Sequence, residues 1–188
     1  MVRIKQQPEL PIFDTKVRKP GNEFLKNNPN TKSSEYPPYW LEIQEEFAEI
    51  YDYICAYLGL YDHSGEIDHF IPKSEDKTLV YEWSNYRYCS NKVNKVKSFK
   101  SITTDPFTIN NGDILLDVSI GEVYANTTLD KDRQETINNE ISLLGLNKHR
   151  FCNTRLSYLN DYEKGHAQLA SIERTAPFIA EFIKSRIL

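Results

Sequence analysis

The chain has 188 residues, 39% hydrophobic and 27% charged, an ordinary balance for one folded domain whose core needs no disulfides. Its formal net charge of −4 argues against a protein that binds polyanions through a uniformly basic surface. No segment approaches the roughly 18 apolar residues of a membrane span, and Met1-Val2-Arg3-Ile4-Lys5 opens no apolar stretch of signal-peptide length, so a cytoplasmic protein without membrane contact is expected.

Residues 1–38 contain Pro8, Pro11, Pro20, Pro29, Pro37 and Pro38 and no sustained period. They predict an extended N-terminal arm, either wrapped on the body or a partner through Phe13, Val17, Phe24 and Leu25, or loosely docked. Over 39–58, Trp40, Ile43, Phe47, Ile50, Ile54 and Leu58 recur at three- and four-residue spacing with acids on the other face, which predicts one amphipathic helix stopped by Gly59. The alternation over 65–72 predicts a strand that turns at Pro72. A polar loop over 73–83, with a helical turn near Leu79, leads to a second strand from Asn85 to Cys89. A short basic helix over 90–100 follows, with Ser90 as its N-cap.

Ile114–Ser119 and Glu122–Thr127 read as a β-hairpin around Ile120-Gly121. Asp130–Leu144 is an amphipathic helix closed by Gly145, and the last forty residues predict at least two more helices, the final one opening at Pro177. Cys55, Cys89 and Cys152 are far apart and form no Cys-x-x-Cys pair, which fits reduced, buried thiols. The twelve tyrosines suggest base stacking, but their helical spacing favours packing.

Charge is uneven along the chain. Arg87, Lys92, Lys95, Lys97 and Lys100 occur with no carboxylate among them, whereas Glu42, Glu45, Glu46 and Glu49 occur with no cation. A local basic patch on an acidic body fits weak intrinsic affinity for a polyanion, or delivery by a partner.

The stretch Glu66-Ile67-Asp68-His69-Phe70-Ile71-Pro72 carries the chemistry, together with Asn85, Asn94 and Lys97. A histidine near its ordinary pKa can take a proton from water. A carboxylate and an amide oxygen can hold one hard divalent cation that relieves charge on a phosphate. Lys97 lies one helical turn beyond Asn94, on the same face, and is expected to reach a phosphate. Arg87 has two readings, a phosphate contact or a pair with Glu66 or Glu82; Glu66 is either a further site contact or a solvent-facing strand residue.

These residues resemble the HNH endonucleases, whose ββα-metal (His-Me finger) fold places an Asp-His pair near the end of the first strand. A Pro follows three residues after the His, an Asn begins the second strand, and a second Asn nine positions later precedes a Lys by three; Asp68, His69, Pro72, Asn85, Asn94 and Lys97 meet this spacing. The resemblance implies His69 as general base, Asp68 and Asn94 as ligands of a divalent metal (Mg²⁺, or Mn²⁺), and Asn85 as the clamp of the loop that carries His69. It implies an α+β fold: a ββα-metal motif over about 65–100 within a mainly helical domain (39–188), with the hairpin added and a helical extension over about 129–188. The paired cysteines that bind structural zinc in many such proteins would fall at Cys55 with Leu58 and Ser90 with Val93, so no structural zinc is expected.

The wider layout is similar to the HNH subunits that pair with an ATPase in bacterial anti-phage systems such as Septu. Ile54-Cys55-Ala56-Tyr57, Tyr81-Glu82-Trp83-Ser84-Asn85-Tyr86-Arg87, Asp105-Pro106-Phe107 and Leu143-Leu144-Gly145-Leu146-Asn147 carry that likeness. The expected activity is metal-dependent hydrolysis of DNA phosphodiesters as the nuclease effector of such a complex. Two other readings stand beside it: RNA, tRNA included, as the substrate, and a catalytically silent HNH scaffold that serves as a docking subunit.

Overall fold

Phe13, Val17 and Gly21 recur every four residues, and this spacing decides the shape of the N-terminal region. The structure, a computed structural model, describes residues 3–187, with side chains described through Arg186. Asp14–Arg18 forms a π-helical turn that runs directly into helix α1 (Lys19–Asn27), where Pro20 occupies a first-turn position that requires no backbone N–H. Phe13 and Val17 are fully buried, and Phe13 meets Trp83 edge-on at 5.2 Å. Gly21 lies flat on the Tyr81 ring, where a methyl group would overlap it. Ahead of the helix, Ile4 N–H donates to the Pro106 carbonyl at 2.8 Å and Trp83 Nε1 donates to the Gln7 carbonyl at 3.0 Å. The expected arm is corrected in its conformation, since residues 14–27 are helical rather than extended, while Phe13, Val17, Phe24 and Leu25 pack on the body as expected because they share one face.

The helix expected over 39–58 is also corrected. A tight helical turn at Tyr39–Ile43 leads into α2 (Gln44–Ile50), and the chain then reverses. Asp52 and Tyr53 take left-handed φ values of 51° and 55°, and Tyr53 N–H bonds back to the Ala48 carbonyl at 2.9 Å, a Schellman-type ending. Strands β1 (Ile54–Cys55) and β2 (Leu60–Tyr61) pair across a turn in which Gly59 has φ 61°. Every residue from Ile54 to Leu60 is buried, so the apolar period that suggested a helix reflects burial of a whole loop.

Strands β3 (Glu66–His69) and β4 (Tyr86–Cys89) form an antiparallel pair with Asp68 opposite Arg87 and His69 opposite Tyr86. Helix α3 (Asn91–Lys97) follows at once. Ser90 sits at its N-cap position as expected, but its hydroxyl makes no capping bond. The second hairpin, β5 (Ile114–Leu116) and β6 (Val123–Ala125), precedes α4 (Lys131–Leu144). Asp130 caps α4 by accepting from Arg133 N–H, and Gly145 ends it at φ 64°. Helices α5 (His149–Glu163), α6 (Leu169–Thr175) and α7 (Pro177–Ile187) complete the chain. The fold is α+β, helices with small antiparallel hairpins, and no helix among the described residues is long and apolar enough to cross a membrane.

Two buried clusters flank β3 and β4. Ile67, Tyr86 and Tyr88 face the one shared with Phe13, Phe47 and Trp83; Cys89 and Val93 belong to the other, with both short hairpins and the C-terminal helices. Alternation along β3 therefore turns Ile67 and His69 to the first cluster, and Glu66 and Asp68 toward α3. Arg87, for which a phosphate contact or a pair with Glu66 or Glu82 was expected, instead grips Asp105 through two bonds of 2.9 and 2.7 Å. It is buried against the Phe107 ring at 3.7 Å, because the loop after α3 folds back under β4.

Gly21→Ala is expected to cost about 1–3 kcal/mol through overpacking against Tyr81. That lowers the melting temperature by roughly 2–4 °C per kcal/mol in a domain of this size, measurable by thermal denaturation followed by circular dichroism.

Candidate active site

β3 ends at His69, so its last two side chains leave the strand on opposite faces yet border one cleft. The cleft has a volume of about 370 Å³ and is lined by Glu66, Asp68, His69 and Asn94, with Trp40 and Phe99 among its other walls. Of the residues singled out by spacing, Asp68, His69, Pro72 and Asn94 border the cleft, while Asn85 and Lys97 lie behind it.

Asn85 binds the segment after β3 from two directions. Its Oδ1 accepts from Ile71 N–H at 2.7 Å, and its Nδ2 donates to the carbonyls of Ile71 at 3.0 Å and Leu79 at 3.1 Å. The backbone bond from Phe70 N–H to the Asn85 carbonyl at 2.8 Å continues the ladder past the strand end. These contacts hold the loop from Phe70 to Val80 against the start of β4, and Val80 in turn positions the histidine.

The His69 ring is almost enclosed, edge-on to Trp40 at 4.6 Å and to Tyr86 at 5.1 Å. Its Nε2 lies 2.9 Å from the Val80 carbonyl, which also accepts the Tyr86 hydroxyl at 2.8 Å. A carbonyl only accepts, so Nε2 carries the proton and Nδ1 keeps its lone pair. Nδ1 makes no hydrogen bond to the described residues, and the ring lines the cleft. Burial pushes the ring pKa down to about 3, with the Lys73 and Lys97 charges adding to the shift and the Val80 bond opposing it. The expectation of a near-ordinary pKa is corrected accordingly.

Lys97 departs most from expectation. It is fully buried, donating to Asp68 Oδ1 at 3.0 Å and to the His69 carbonyl at 2.7 Å, so it ties α3 to the end of β3 rather than reaching a phosphate. Its position one turn after Asn94 sets its face, but the depth of that face is set by the strand beneath it. Tyr57, which the sequence marked only within a segment of family likeness and not as a site residue, donates its hydroxyl to Asp68 Oδ2 at 2.5 Å. Burial raises the Asp68 carboxyl above the ordinary range, with Lys97 and Tyr57 opposing the shift. The Tyr57 phenol is held far above its usual pKa by burial and by the Asp68 charge.

Glu66 turns into the cleft, where its Oε1 accepts from Asn94 Nδ2 at 3.1 Å. That bond aligns the Asn94 amide and leaves its Oδ1 as an acceptor. Lys73, also missed by sequence reasoning, lies half-buried with its ammonium 4.5 Å from the centre of the Trp40 ring. Its signal was a cation four residues after the histidine, just past Pro72. Trp40 was expected to be core and is instead a wall of the cleft. His63, His149 and His166 are exposed elsewhere.

The donor set suits a hard cation of one kind. Asp68, Glu66 and Asn94 offer oxygen atoms around one cleft, although Lys97 already offsets part of the Asp68 charge. Among the described residues no group of three or more His, Cys, Asp or Glu is placed to hold a metal ion by itself. Mg²⁺ characteristically keeps several waters and takes one or two carboxylates plus substrate phosphate, so these residues fit a cation site that a phosphate completes. At the positions where the resembling family can carry zinc ligands, Cys55, Leu58 and Val93 pack in one buried cluster, and Ser90 is buried beside them.

Lys97→Ala is expected to cost about 3–5 kcal/mol in urea denaturation, because it strands a buried carboxylate. Pairing Lys97→Met with Asp68→Leu should recover much of that loss; a cost under about 1 kcal/mol for the single change would deny the pair its role in joining α3 to β3. His69 supplies a pH signature. A folded pKa depressed to about 3 contributes stability above the ordinary value of 6.5 that is lost as pH falls from there toward 3. The difference between wild type and His69→Asn should therefore change by up to about 1.4 kcal/mol per pH unit below pH 6, and parallel profiles between pH 7 and 4 would contradict a neutral ring.

No protein-family profile matches this chain, no curated protein matches it, and no solved structure matches it.

Proposed function

We propose that this protein is a metal-dependent endonuclease that hydrolyses DNA phosphodiester bonds through a ββα-metal site. The observation that carries this reading is a histidine whose Nε2 is held by the Val80 carbonyl and which lines one cleft with a cluster of carboxylate and amide oxygens. An imidazole that stays unprotonated throughout the physiological range always has its lone pair available. Burial makes it a weak base, and a phosphate anion beside the ring raises that basicity when substrate binds.

In this reading His69 Nδ1 takes the proton of the attacking water. The Val80 carbonyl holds the opposite edge of the ring, and Asn85 holds the loop that supplies Val80. Asp68 and Asn94 would bind a divalent cation, Mg²⁺ or Mn²⁺, with Glu66 orienting the Asn94 amide. Such an ion supplies Lewis-acid stabilisation of negative charge on the phosphate and leaving oxygen. Lys97 and Tyr57 hold the Asp68 carboxylate from behind, and Lys73 brings a cation to the cleft mouth. The segment likeness to ATPase-linked HNH subunits supports a nuclease effector of a bacterial anti-phage complex, in which the partner supplies targeting that an acidic chain does not.

The test is nicking of supercoiled plasmid by purified protein with Mg²⁺ or Mn²⁺, alone and with an ATPase partner. His69→Ala should lower the rate by about 10²–10⁴-fold with an unchanged far-ultraviolet spectrum. Asp68→Asn and Asn94→Ala should raise the metal concentration needed for half-maximal rate. Undiminished nicking by His69→Ala places the base elsewhere. If wild type cuts neither the plasmid nor RNA supplied in its place under these conditions, the docking-subunit reading is favoured.

A further inference from the structure

The turn that closes α3 combines two unfavourable features at the mouth of the cleft. Lys100 N–H donates to the Lys97 carbonyl at 2.9 Å, closing a tight turn whose first central residue, Ser98, has φ 51° and ψ −121°. That is the type II′ geometry, in which glycine normally takes this position. The residue it presents next is Phe99, 76% exposed and the most exposed large hydrophobic side chain among the described residues. A strained backbone that delivers an aromatic ring to water does nothing for the core. Strain of this kind gathers where a side chain must be held for a ligand.

The ring has a defined place. Phe99 and Ser98 line the same cleft as His69 and Asn94. Lys97, at the first position of the turn, is locked inside by Asp68 and the His69 carbonyl, so the turn is anchored to the site two residues before the phenylalanine. Lys95 and Lys100 are exposed on either side, with no acidic neighbour in the stretch from Arg87 to Lys100. Trp40 provides a second aromatic surface in the same cleft.

We propose that Phe99 is a stacking platform for an unpaired nucleobase next to the scissile phosphate, so that the preferred substrates are single-stranded or flapped nucleic acids rather than intact duplex. This rests on the nuclease reading and deepens it. Inside a duplex both faces of a base are covered by its neighbours, and an unpaired base offers a free face. One aromatic ring between cations suits stacking beside a phosphate backbone. A protein-docking core is depleted of lysine and needs a contiguous apolar patch; here the flanking residues are Ser98, Lys95 and Lys100.

The experiment uses the full chain carrying His69→Ala with Mg²⁺, so that oligonucleotides stay intact. Fluorescently labelled single-stranded, flapped and blunt duplex DNA of matched length are titrated, with 2-aminopurine scanned along the unpaired strand. Single-stranded and flapped DNA should bind about tenfold tighter than duplex, with 2-aminopurine quenched at one position. Adding Phe99→Ala or Phe99→Leu should remove that preference and the quench, while Phe99→Trp should retain both. If Phe99→Ala and Phe99→Leu leave single-strand affinity within twofold, the stacking proposal fails, and plasmid nicking by wild type would still support the nuclease. If no nucleic acid binds or is cut, both readings fall. Loss of binding to an ATPase partner, with nucleic-acid affinity unchanged, would assign Phe99 to a protein contact and overturn the proposal.

Discussion

One ammonium group organises this site. Lys97 reaches in from the last turn of α3 and meets both the Asp68 carboxylate and the His69 carbonyl, so helix and strand end are joined at the residues that border the cleft. A charge taken out of water is tolerated only where opposite charge and hydrogen bonds replace the solvent. Here the Tyr57 hydroxyl completes that replacement from a third segment. The geometry of β3, α3 and the loop after β1 is thereby set by one buried network, and a change in any partner exposes the others to an unmet charge.

Packing places that network between two cores. The N-terminal helix, α2 and the Val80–Tyr86 segment form one, while the short hairpins and α3 to α7 form the other. The β3–β4 pair contributes to both, so its two faces are covered by different parts of the chain. A two-stranded ribbon alone is marginal in water, and this one is braced on each side. Arg87, gripping Asp105 and stacked on Phe107, adds a polar tie from β4 to the loop that follows α3.

Much of the β3–β4–α3 region was legible because its signals are local. Alternation gave β3, and fixed intervals located Asp68, His69 and Asn85 within two residues of the observed strand boundaries and Asn94 at the middle of α3. Asp130 and Gly145 marked α4 by capping chemistry that acts within one turn. What was not legible depends on distant partners. The stop at Ile50 comes from two left-handed residues, Asp52 and Tyr53, that carry no glycine signal. The N-terminal helix was hidden by its prolines, and its face shows only once Tyr81 and Trp83 are there to receive Gly21 and Phe13. Spacing put Lys97 on the face of Asn94 but could not say how deep that face lies, and Tyr57 belongs to a stretch whose apolar pattern imitated a helix.

The cleft draws its two kinds of residue from different stretches of chain. Glu66, Asp68, His69 and Asn94 lie within thirty consecutive residues, whereas Ser33, Ser34 and Trp40 come from the segment between α1 and α2. The link between these groups that the geometry makes plain is the edge of the Trp40 ring on His69. The site is thus modular: sequence drift in the 33–40 wall reshapes what the cleft admits while the residues around the proton and the charge stay as they are. Diversification of such a protein has a natural place to act, and it lies outside the motif by which the chain is most readily noticed.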